Sequence, residues 1–136
     1  MDKCLFCEIV KGSVPSYQVH QSSLGLAILD KYPVAPGHIL ILPKEHYIDM
    51  TDVKPTVLED MIRLSQEMGL WLINRLNADG FNLLTANRPA AQQTFFHLHM
   101  HIVPRYKNDG LSLWFHGKTE SEIDLGKVQE RLLREE

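Results

Sequence analysis

The sequence predicts an α+β domain in which a five-stranded antiparallel sheet carries a short N-terminal helix and one long helix. One observation favours this fold class, and a second favours a single domain. Short apolar segments bounded by turn residues cluster on either side of one long segment with helical periodicity, so strands and helices do not alternate as they would in a parallel α/β protein. The chain has 136 residues, which suits a single domain over residues 1–136 with a core of its own.

The elements before the long helix follow from local patterns. Residues 4–11 are predicted to form a short helix that Gly12 ends. Residues 16–21 and 24–30 are predicted to form strands separated by a polar break. Residues 31–37 hold two prolines and a glycine and are therefore predicted to form a loop, which leads into an apolar strand over residues 38–43.

The long helix is predicted to run from Asp52 to about Asn77. Its apolar residues recur every three or four positions and form one buried stripe, which consists of Val57, Met61, Leu64, Met68, Leu72 and Leu76. Thr51 or Asp52 can cap its start, and Pro55 fits its first turn because a proline there forfeits no helical hydrogen bond.

The remaining elements are two strands and a terminal helix. Residues 77–80 end the long helix, residues 81–87 form a strand, and residues 88–94 form a loop. Residues 95–104 form the last strand, which Pro104 closes. A charged, partly exposed helix is predicted from Leu125 to the end.

Charge and hydropathy limit the partners. The net charge is −3 with a sequence pI near 6.1, and no basic stripe stands out, so neither nucleic acid nor an anionic membrane is an expected partner. No apolar run approaches the roughly 20 residues of a membrane span. The N-terminus lacks the pattern of a secretory signal, so a cytoplasmic location is expected.

Three of the seven histidines occur at alternate positions in FFHLHMHIVPR, residues 95–105. In a strand, His97, His99 and His101 would share one open face, while Phe96, Leu98, Met100 and Ile102 would point into the core. Such a face favours either of two chemistries. It could bind a metal ion, or a neutral imidazole could attack phosphorus while its neighbours donate hydrogen bonds to phosphate oxygens. The residues alone leave both open.

The two cysteines also leave two interpretations open. The spacing of Cys4 and Cys7 in a reducing compartment indicates a metal site or a redox pair.

Three segments together resemble the histidine triad (HIT) family of nucleotide hydrolases and transferases. QQTFFHLHMHIVPR, residues 92–105, resembles the triad signature, and LAILDKYPVAPGHILILPKEHY, residues 26–47, resembles the other conserved block. CLFCEIVKGSVPSYQV, residues 4–19, is similar to the N-terminus of the zinc-binding branch. The resemblance implies a HIT-like fold with a core over residues 4–106 and a C-terminal tail over residues 107–136. It also implies a homodimer, for which Trp114 is a candidate interface residue.

The resemblance assigns catalytic roles to four residues. His99 matches the nucleophile, which attacks the α-phosphorus of a nucleotide and forms a covalent nucleotidyl-imidazole that water then hydrolyses. His101 matches the histidine that hydrogen-bonds a phosphate oxygen, and His38 matches a fourth histidine that supports the triad. Gln93 matches a glutamine near the bridging oxygen of the leaving group.

The resemblance also implies a binding site for a purine nucleotide. Thr94 matches a phosphate contact, and Asn87 stands next to the position of a family asparagine that reaches the phosphate. Asp30 matches the acidic residue that binds both ribose hydroxyls, a role that suits a carboxylate because it can accept two hydrogen bonds. An apolar slot for the base is implied for Leu5, Phe6 and Ile9.

One loop departs from the family pattern. Residues 86–93 lack the usual glycines: Arg88 stands where an Asn-Gly pair commonly turns, and Gln92 stands where a glycine is usual. A Cβ atom restricts the backbone wherever φ must be positive, so the geometry of this loop is in question.

The metal site implied by the resemblance consists of Cys4, Cys7, His46 and His97. Two sulfurs and two imidazoles form a closed tetrahedral set, so this zinc would be structural rather than catalytic. No organic cofactor is implied.

The function implied is cleavage of purine nucleoside phosphoramidates or dinucleoside polyphosphates at the α-phosphate. Two alternatives remain. A metal-dependent hydrolase would bind a catalytic zinc on the histidine strand, but it leaves Cys4 and Cys7 without a role. A non-catalytic purine nucleotide sensor would keep the fold without the reaction. The altered loop leaves this alternative open, but the presence of His99, His101, His38 and Gln93 argues against it.

Overall fold

The five strands form one antiparallel sheet in the order β1-β2-β3-β5-β4, and the predicted fold class is confirmed. The computed structural model describes residues 4–114 and 123–134. The helices are α1 (Leu5–Lys11), α2 (Pro55–Leu76) and α3 (Leu125–Leu133). The strands are β1 (Gln18–Gln21), β2 (Gly25–Leu29), β3 (Ile39–Pro43), β4 (Gly80–Leu84) and β5 (Met100–Arg105), and a 3-10 turn spans Pro89–Ala91.

Helix α2 covers one face of the sheet. The predicted stripe is buried from Val57 to Leu72 and packs on Ala27, Ile39 and Ile41. Leu76 does not join it, since this side chain is 47% exposed in the last turn. The start of the helix also differs from prediction. Lys54 is the N-cap residue and makes no side-chain cap, although Pro55 occupies the first turn as predicted.

The carboxylate of Asp52 stabilises the preceding loop instead of the helix. It accepts hydrogen bonds from the backbone N–H groups of Ile48 and Asp49. The carboxylate of an Asp near the start of a helix can accept hydrogen bonds from backbone N–H groups of either the loop or the helix. Here it accepts them from the loop.

Helix α1 lies over part of the opposite face. Its buried residues Phe6 and Ile9 pack on side chains of β2 and β3, namely Leu26, Ile28, Leu40 and Leu42. Gly12 ends the helix with a φ of 85°, and its N–H donates to carbonyls of the last turn, as expected for a left-handed C-terminal residue. The Cys4 sulfur accepts the N–H of Cys7 at the other end, which places both cysteines at the N-terminus of α1.

The histidine segment is the main correction to the predicted elements. The last strand begins at Met100, so residues 95–99 lie outside the sheet ladder. Leu98, Met100 and Ile102 are buried as predicted, but Phe96 is 48% exposed. His97 and His99 are also buried, at 1% and 9% exposure. They do not line an open face, because the ring of Phe6 on α1 contacts both of them.

Several further elements are shorter than predicted, and β1, β2 and β3 each lack one or two of the predicted residues. β4 ends at Leu84, so residues 85–87 already belong to the loop. α3 is exposed along its length, as expected for a charged terminal helix, and the predicted residues 135–136 lie outside the described part. Within residues 4–114 and 123–134, no helix combines the length and apolarity that crossing a bilayer requires.

Candidate functional site

His99 has a defined tautomer. Its Nδ1 lies 2.8 Å from the carbonyl oxygen of His97, and a carbonyl oxygen can only accept, so Nδ1 carries the hydrogen. Nε2 of the neutral ring therefore holds a lone pair. The hydroxyl of Thr85 donates to the carbonyl oxygen of His99 at 2.7 Å, which fixes the backbone of this residue. Nε2 is thus the nitrogen of His99 that is able to act as a nucleophile.

A second chain of hydrogen bonds fixes His38 and His101. The N–H of Val34 donates to Nδ1 of His38 at 3.2 Å, so the hydrogen of the neutral His38 ring is on Nε2. That Nε2 lies 2.9 Å from Nδ1 of His101. His101 therefore accepts at Nδ1 and carries its own hydrogen on Nε2, which makes it a neutral donor suited to a phosphate oxygen.

Burial keeps these imidazoles neutral. Desolvation lowers the pKa of His38 and of His99, and the carboxylate of Asp30 only partly opposes it. Desolvation, together with the neighbouring His99 and His38, lowers the pKa of His101 to about 4. All three rings are consequently neutral at pH 7, the state in which His99 can attack phosphorus.

Asp30 lies next to this pair. Its Oδ1 accepts the N–H of Tyr32 at 2.8 Å, and its Oδ2 lies 3.4 Å from Nε2 of His38 and 4.0 Å from Nδ1 of His101. These three residues are close enough to surround an ion. The hydrogen bond from Val34 argues against one, because it leaves Nε2 of His38 protonated and without a lone pair for a metal.

Four side chains form a second cluster between α1 and the loop that precedes α2. Nδ1 of His97 lies 3.3 Å and 3.4 Å from the sulfurs of Cys4 and Cys7, and 3.1 Å from Nδ1 of His46. The Cys7 sulfur lies 3.3 Å from Nδ1 of His46. Zinc bonds of about 2.3 Å to sulfur and about 2.0–2.1 Å to nitrogen give tetrahedral edges of roughly 3.3–3.8 Å. The three sulfur–nitrogen spacings lie in that range, and the 3.1 Å between the two imidazole nitrogens is slightly shorter, so a small separation of the rings would admit an ion at the centre.

The protonation of this cluster also fits a cation. Nε2 of His97 lies 3.0 Å from the carbonyl oxygen of Pro43 and donates to it, so Nδ1 offers its lone pair to the centre. Desolvation and the adjacent Cys4 raise the pKa of the Cys7 thiol to about 11. A bound cation would reverse that effect, because coordination deprotonates thiols.

The residues predicted to contact a nucleotide differ in exposure and in their own hydrogen bonds. The ring centroid of Phe6 lies 5.0 Å from that of His99, while Ile9 is buried in the core beneath α1 and Leu5 is 41% exposed. Thr94 is exposed. Oδ1 of Asn87 accepts the N–H of Met50 at 2.7 Å, which leaves the amide hydrogens of Asn87 as its remaining donors.

Gln93 is the most constrained of the predicted site residues. Its side chain is 4% exposed, and its carboxamide makes three hydrogen bonds within the chain. Nε2 donates to the carbonyl oxygens of Ile48 and Phe95, and Oε1 accepts the N–H of Arg88. The structure therefore places Gln93 beneath the loop and engages it with backbone groups.

Both residues that replace expected glycines have positive φ. Arg88 has φ 77° and ψ 159°, and Gln92 has φ 71° and ψ 26°. The first combination is one that essentially only glycine adopts, and each such residue costs about 1–3 kcal/mol. The missing glycines had put the geometry of this loop in question. The loop keeps the backbone shape that glycines would allow, although Arg88 and Gln92 occupy their positions.

Sequence reasoning missed three contributors to the site. Val34 and Pro43 act through a backbone N–H and a backbone carbonyl, which any residue type could supply, and no sequence signal marks them. Thr85 acts through its hydroxyl, but a single threonine at the end of a strand is too common to be noticed. Only the fold brings them to the histidines.

Known proteins are similar to this chain in sequence and in fold. The sequence model described as the HIT domain matches residues 11–108. An adenylylsulfatase of Arabidopsis thaliana is 37% identical over 108 residues, which is 79% of this chain and 55% of that protein. An adenosine 5′-monophosphoramidase of Candida albicans is 30% identical over 137 residues, 97% of this chain and 90% of that protein. A zinc-bound histidine triad family protein of Mycobacterium smegmatis superposes with a TM-score of 0.78 at 39% identity, covering 81% of this chain and 80% of that one.

Proposed function

The chain belongs to the HIT domain family, and from that premise we propose that it cleaves purine nucleoside phosphoramidates or dinucleoside polyphosphates at the α-phosphate. The observation that carries the proposal is the tautomer of His99, whose Nδ1–H is bonded to the His97 carbonyl and whose Nε2 holds a lone pair. Two related proteins whose names state a hydrolytic reaction of an adenylyl compound support the substrate class.

The reaction proceeds in two displacements. Nε2 of His99 forms a bond to the α-phosphorus while the bond from phosphorus to the leaving nitrogen or oxygen breaks, and the leaving group takes up a proton from solvent. Nε2–H of His101 donates to a phosphate oxygen as negative charge develops. Water then forms the new P–O bond and gives up a proton to solvent, the N–P bond breaks, and His99 returns to its neutral form with release of the mononucleotide.

Substrate binding uses groups around the histidines. The Asp30 carboxylate accepts from the ribose hydroxyls, and the exposed Thr94 and the amide hydrogens of Asn87 donate to phosphate oxygens. The base rests on the apolar surface of α1, where Phe6 lies against His99 and is flanked by Leu5 and Ile9. These contacts follow from the family resemblance and from the chemistry of each group.

A structural zinc ion completes the fold. Cys4, Cys7, His46 and His97 would hold it, with no position left for water or substrate. His97 connects this ion to the reaction because its carbonyl orients His99. Reduced thiols as ligands suit a reducing compartment such as the cytoplasm.

The protein forms a homodimer through strand β4. This strand lies at the edge of the sheet, and Phe81, Leu83 and Leu84 on it are each 38–42% exposed. An apolar edge strand offers both unpaired backbone groups and apolar surface to a second copy. The exposed Trp114 is a further candidate for this interface. Replacing Leu83 by Lys should convert the dimer to a monomer in sedimentation analysis, whereas Leu132→Lys on the exposed helix α3 should not.

Turnover and metal content measured together test the proposed function. Wild type, His99→Ala and the surface control His20→Ala are assayed with an adenosine phosphoramidate and with a diadenosine polyphosphate. We expect His99→Ala to lose turnover by several orders of magnitude with zinc content unchanged. Loss of metal together with activity would instead indicate a metal-dependent hydrolase, and nucleotide binding without turnover in wild type would indicate a sensor.

A further inference from the structure

The loop between β4 and β5 lacks glycine and yet has two residues with positive φ. Arg88 and Gln92 flank the 3-10 turn of Pro89–Ala91, and both replace the hydrogen of a glycine with a full side chain. An L-residue adopts such a backbone only where surrounding contacts determine it. Contacts from neighbouring residues must therefore hold the backbone of this loop in its shape.

Gln93 supplies the central contact. Its Oε1 accepts the N–H of Arg88 at 2.7 Å, while its Nε2 donates to the carbonyl oxygens of Ile48 at 2.7 Å and Phe95 at 3.1 Å. The backbone N–H of Gln93 also donates to the carbonyl of Arg88 at 3.3 Å. One buried carboxamide thus joins both ends of the loop to the segment that follows β3.

Asp49 supplies a second contact from that same segment. Its carboxylate is 3% exposed, accepts from the N–H and hydroxyl of Thr51, and lies 3.8 Å from Nε of Arg88. The backbone of Arg88 is therefore held by Gln93 and its guanidinium lies close to Asp49. The residue with the glycine-like backbone is anchored at two points.

The hydrogen-bonding capacity of Gln93 limits what else it can do. A carboxamide has two N–H hydrogens, and both are bonded to backbone carbonyls. No donor remains for an oxygen of the leaving group. Gln93 could donate to a substrate only by giving up the contacts that hold the loop.

We propose that Gln93 is a positioning residue that holds the glycine-free loop 88–92 in the shape that substrate binding requires, instead of touching the reacting atoms. The loop runs directly into Thr94 and then into His97 and His99, so its shape determines where these groups meet a nucleotide. This inference rests on the proposed function and assigns Gln93 a role within it.

A rescue experiment tests the proposal. Glycine adopts positive φ readily, so the pair Arg88→Gly and Gln92→Gly removes the need for the Gln93 contact. Gln93→Ala should lower kcat/KM with an adenosine phosphoramidate by about 10²-fold, because small displacements near reacting groups have effects of that order. The glycine pair alone also removes the Arg88 guanidinium from beside Asp49, so it should lower kcat/KM, but by less than Gln93→Ala does. Combined with Gln93→Ala, it should restore kcat/KM by on the order of tenfold, a coupling expected of residues in contact.

Additive losses would overturn the proposal. If the triple variant is as impaired as Gln93→Ala, Gln93 acts on the substrate and not through the loop. If the glycine pair alone is as damaging as Gln93→Ala, the side chains of Arg88 and Gln92 themselves act on the substrate. Gln66→Ala, on the exposed side of α2, is the matched control. Thermal unfolding of the same variants gives a second readout that needs no activity. An inactive wild type would refute the proposed function, while coupling in stability would still test whether Gln93 holds the loop.

Discussion

Nε2 of His38 lies 2.9 Å from Nδ1 of His101, and this contact fixes the protonation of both rings. Because the N–H of Val34 bonds Nδ1 of His38, the shared hydrogen belongs to His38 and His101 is left with a hydrogen on Nε2. In the proposed mechanism, this hydrogen-bonded pair of neutral imidazoles next to His99 would donate to an anionic phosphate without a charged histidine.

The pair makes stability depend on pH. The folded-state pKa of His101 is about 4, below the ordinary value of 6.5, so the unfolded chain binds more protons between these values. Stability is therefore full above pH 6.5 and falls as the pH drops from 6.5 towards about 4. The contribution of His101 is on the order of 2 kcal/mol, given about 1.4 kcal/mol per pKa unit and a discount for partial exposure. Chemical unfolding at a series of pH values should show a smaller loss for His101→Gln than for wild type.

Removing a metal ligand should destabilise the fold. A ligand that binds only the folded state stabilises it by about 2.7 kcal/mol when its free concentration is 100 times Kd, which corresponds to a Tm change of roughly 10 °C. We expect His46→Ala to lose zinc in native mass spectra and to unfold at a Tm lower by about that amount. Arg131→Ala, on the exposed helix α3, should retain both metal and Tm. Equal Tm values for the two variants would show that no structural ion is bound.

Gly37 is required by both its backbone and its surroundings. It has a φ of 98°, and a Cβ atom there would come within 2.7 Å of Leu76 Cδ1 and 2.9 Å of Leu72 Cδ2. Gly12 has a φ of 85° but has open space around it. Both alanine variants bear the backbone strain of about 1–3 kcal/mol, and only Gly37→Ala adds a clash beside His38. Thermal unfolding should therefore show the larger Tm decrease for Gly37→Ala, and equal decreases would mean that the helix side chains yield without cost.

The periodicities in the sequence were sufficient for the architecture but not for its local exceptions. Alternation correctly predicted that Leu98, Met100 and Ile102 face the core, because side-chain alternation persists in any extended segment. It could not show that residues 95–99 lie outside the ladder. That boundary depends on tertiary contacts, among them the bond from the N–H of Leu98 to the carbonyl of Tyr47.

The residues of the site could be predicted where their role depends on the type of side chain. The sequence supplied five histidines and two cysteines, and the fold brings them into two clusters. The tautomers could not be predicted, because they are set by backbone groups of Val34, His97 and Pro43. The bonding of the Gln93 carboxamide was equally hidden, since it depends on how two loops approach each other.

The covalent step at His99 is the central claim, and intact-protein mass spectrometry tests it most directly. Wild type and His99→Asn are each mixed with an adenosine phosphoramidate and quenched without acid within about one turnover, because a phosphorus–nitrogen bond to imidazole is acid-labile. The account predicts a mass increase of one nucleotidyl group on wild type and none on His99→Asn. Turnover by wild type without any adduct, or the same adduct on His99→Asn, would contradict it.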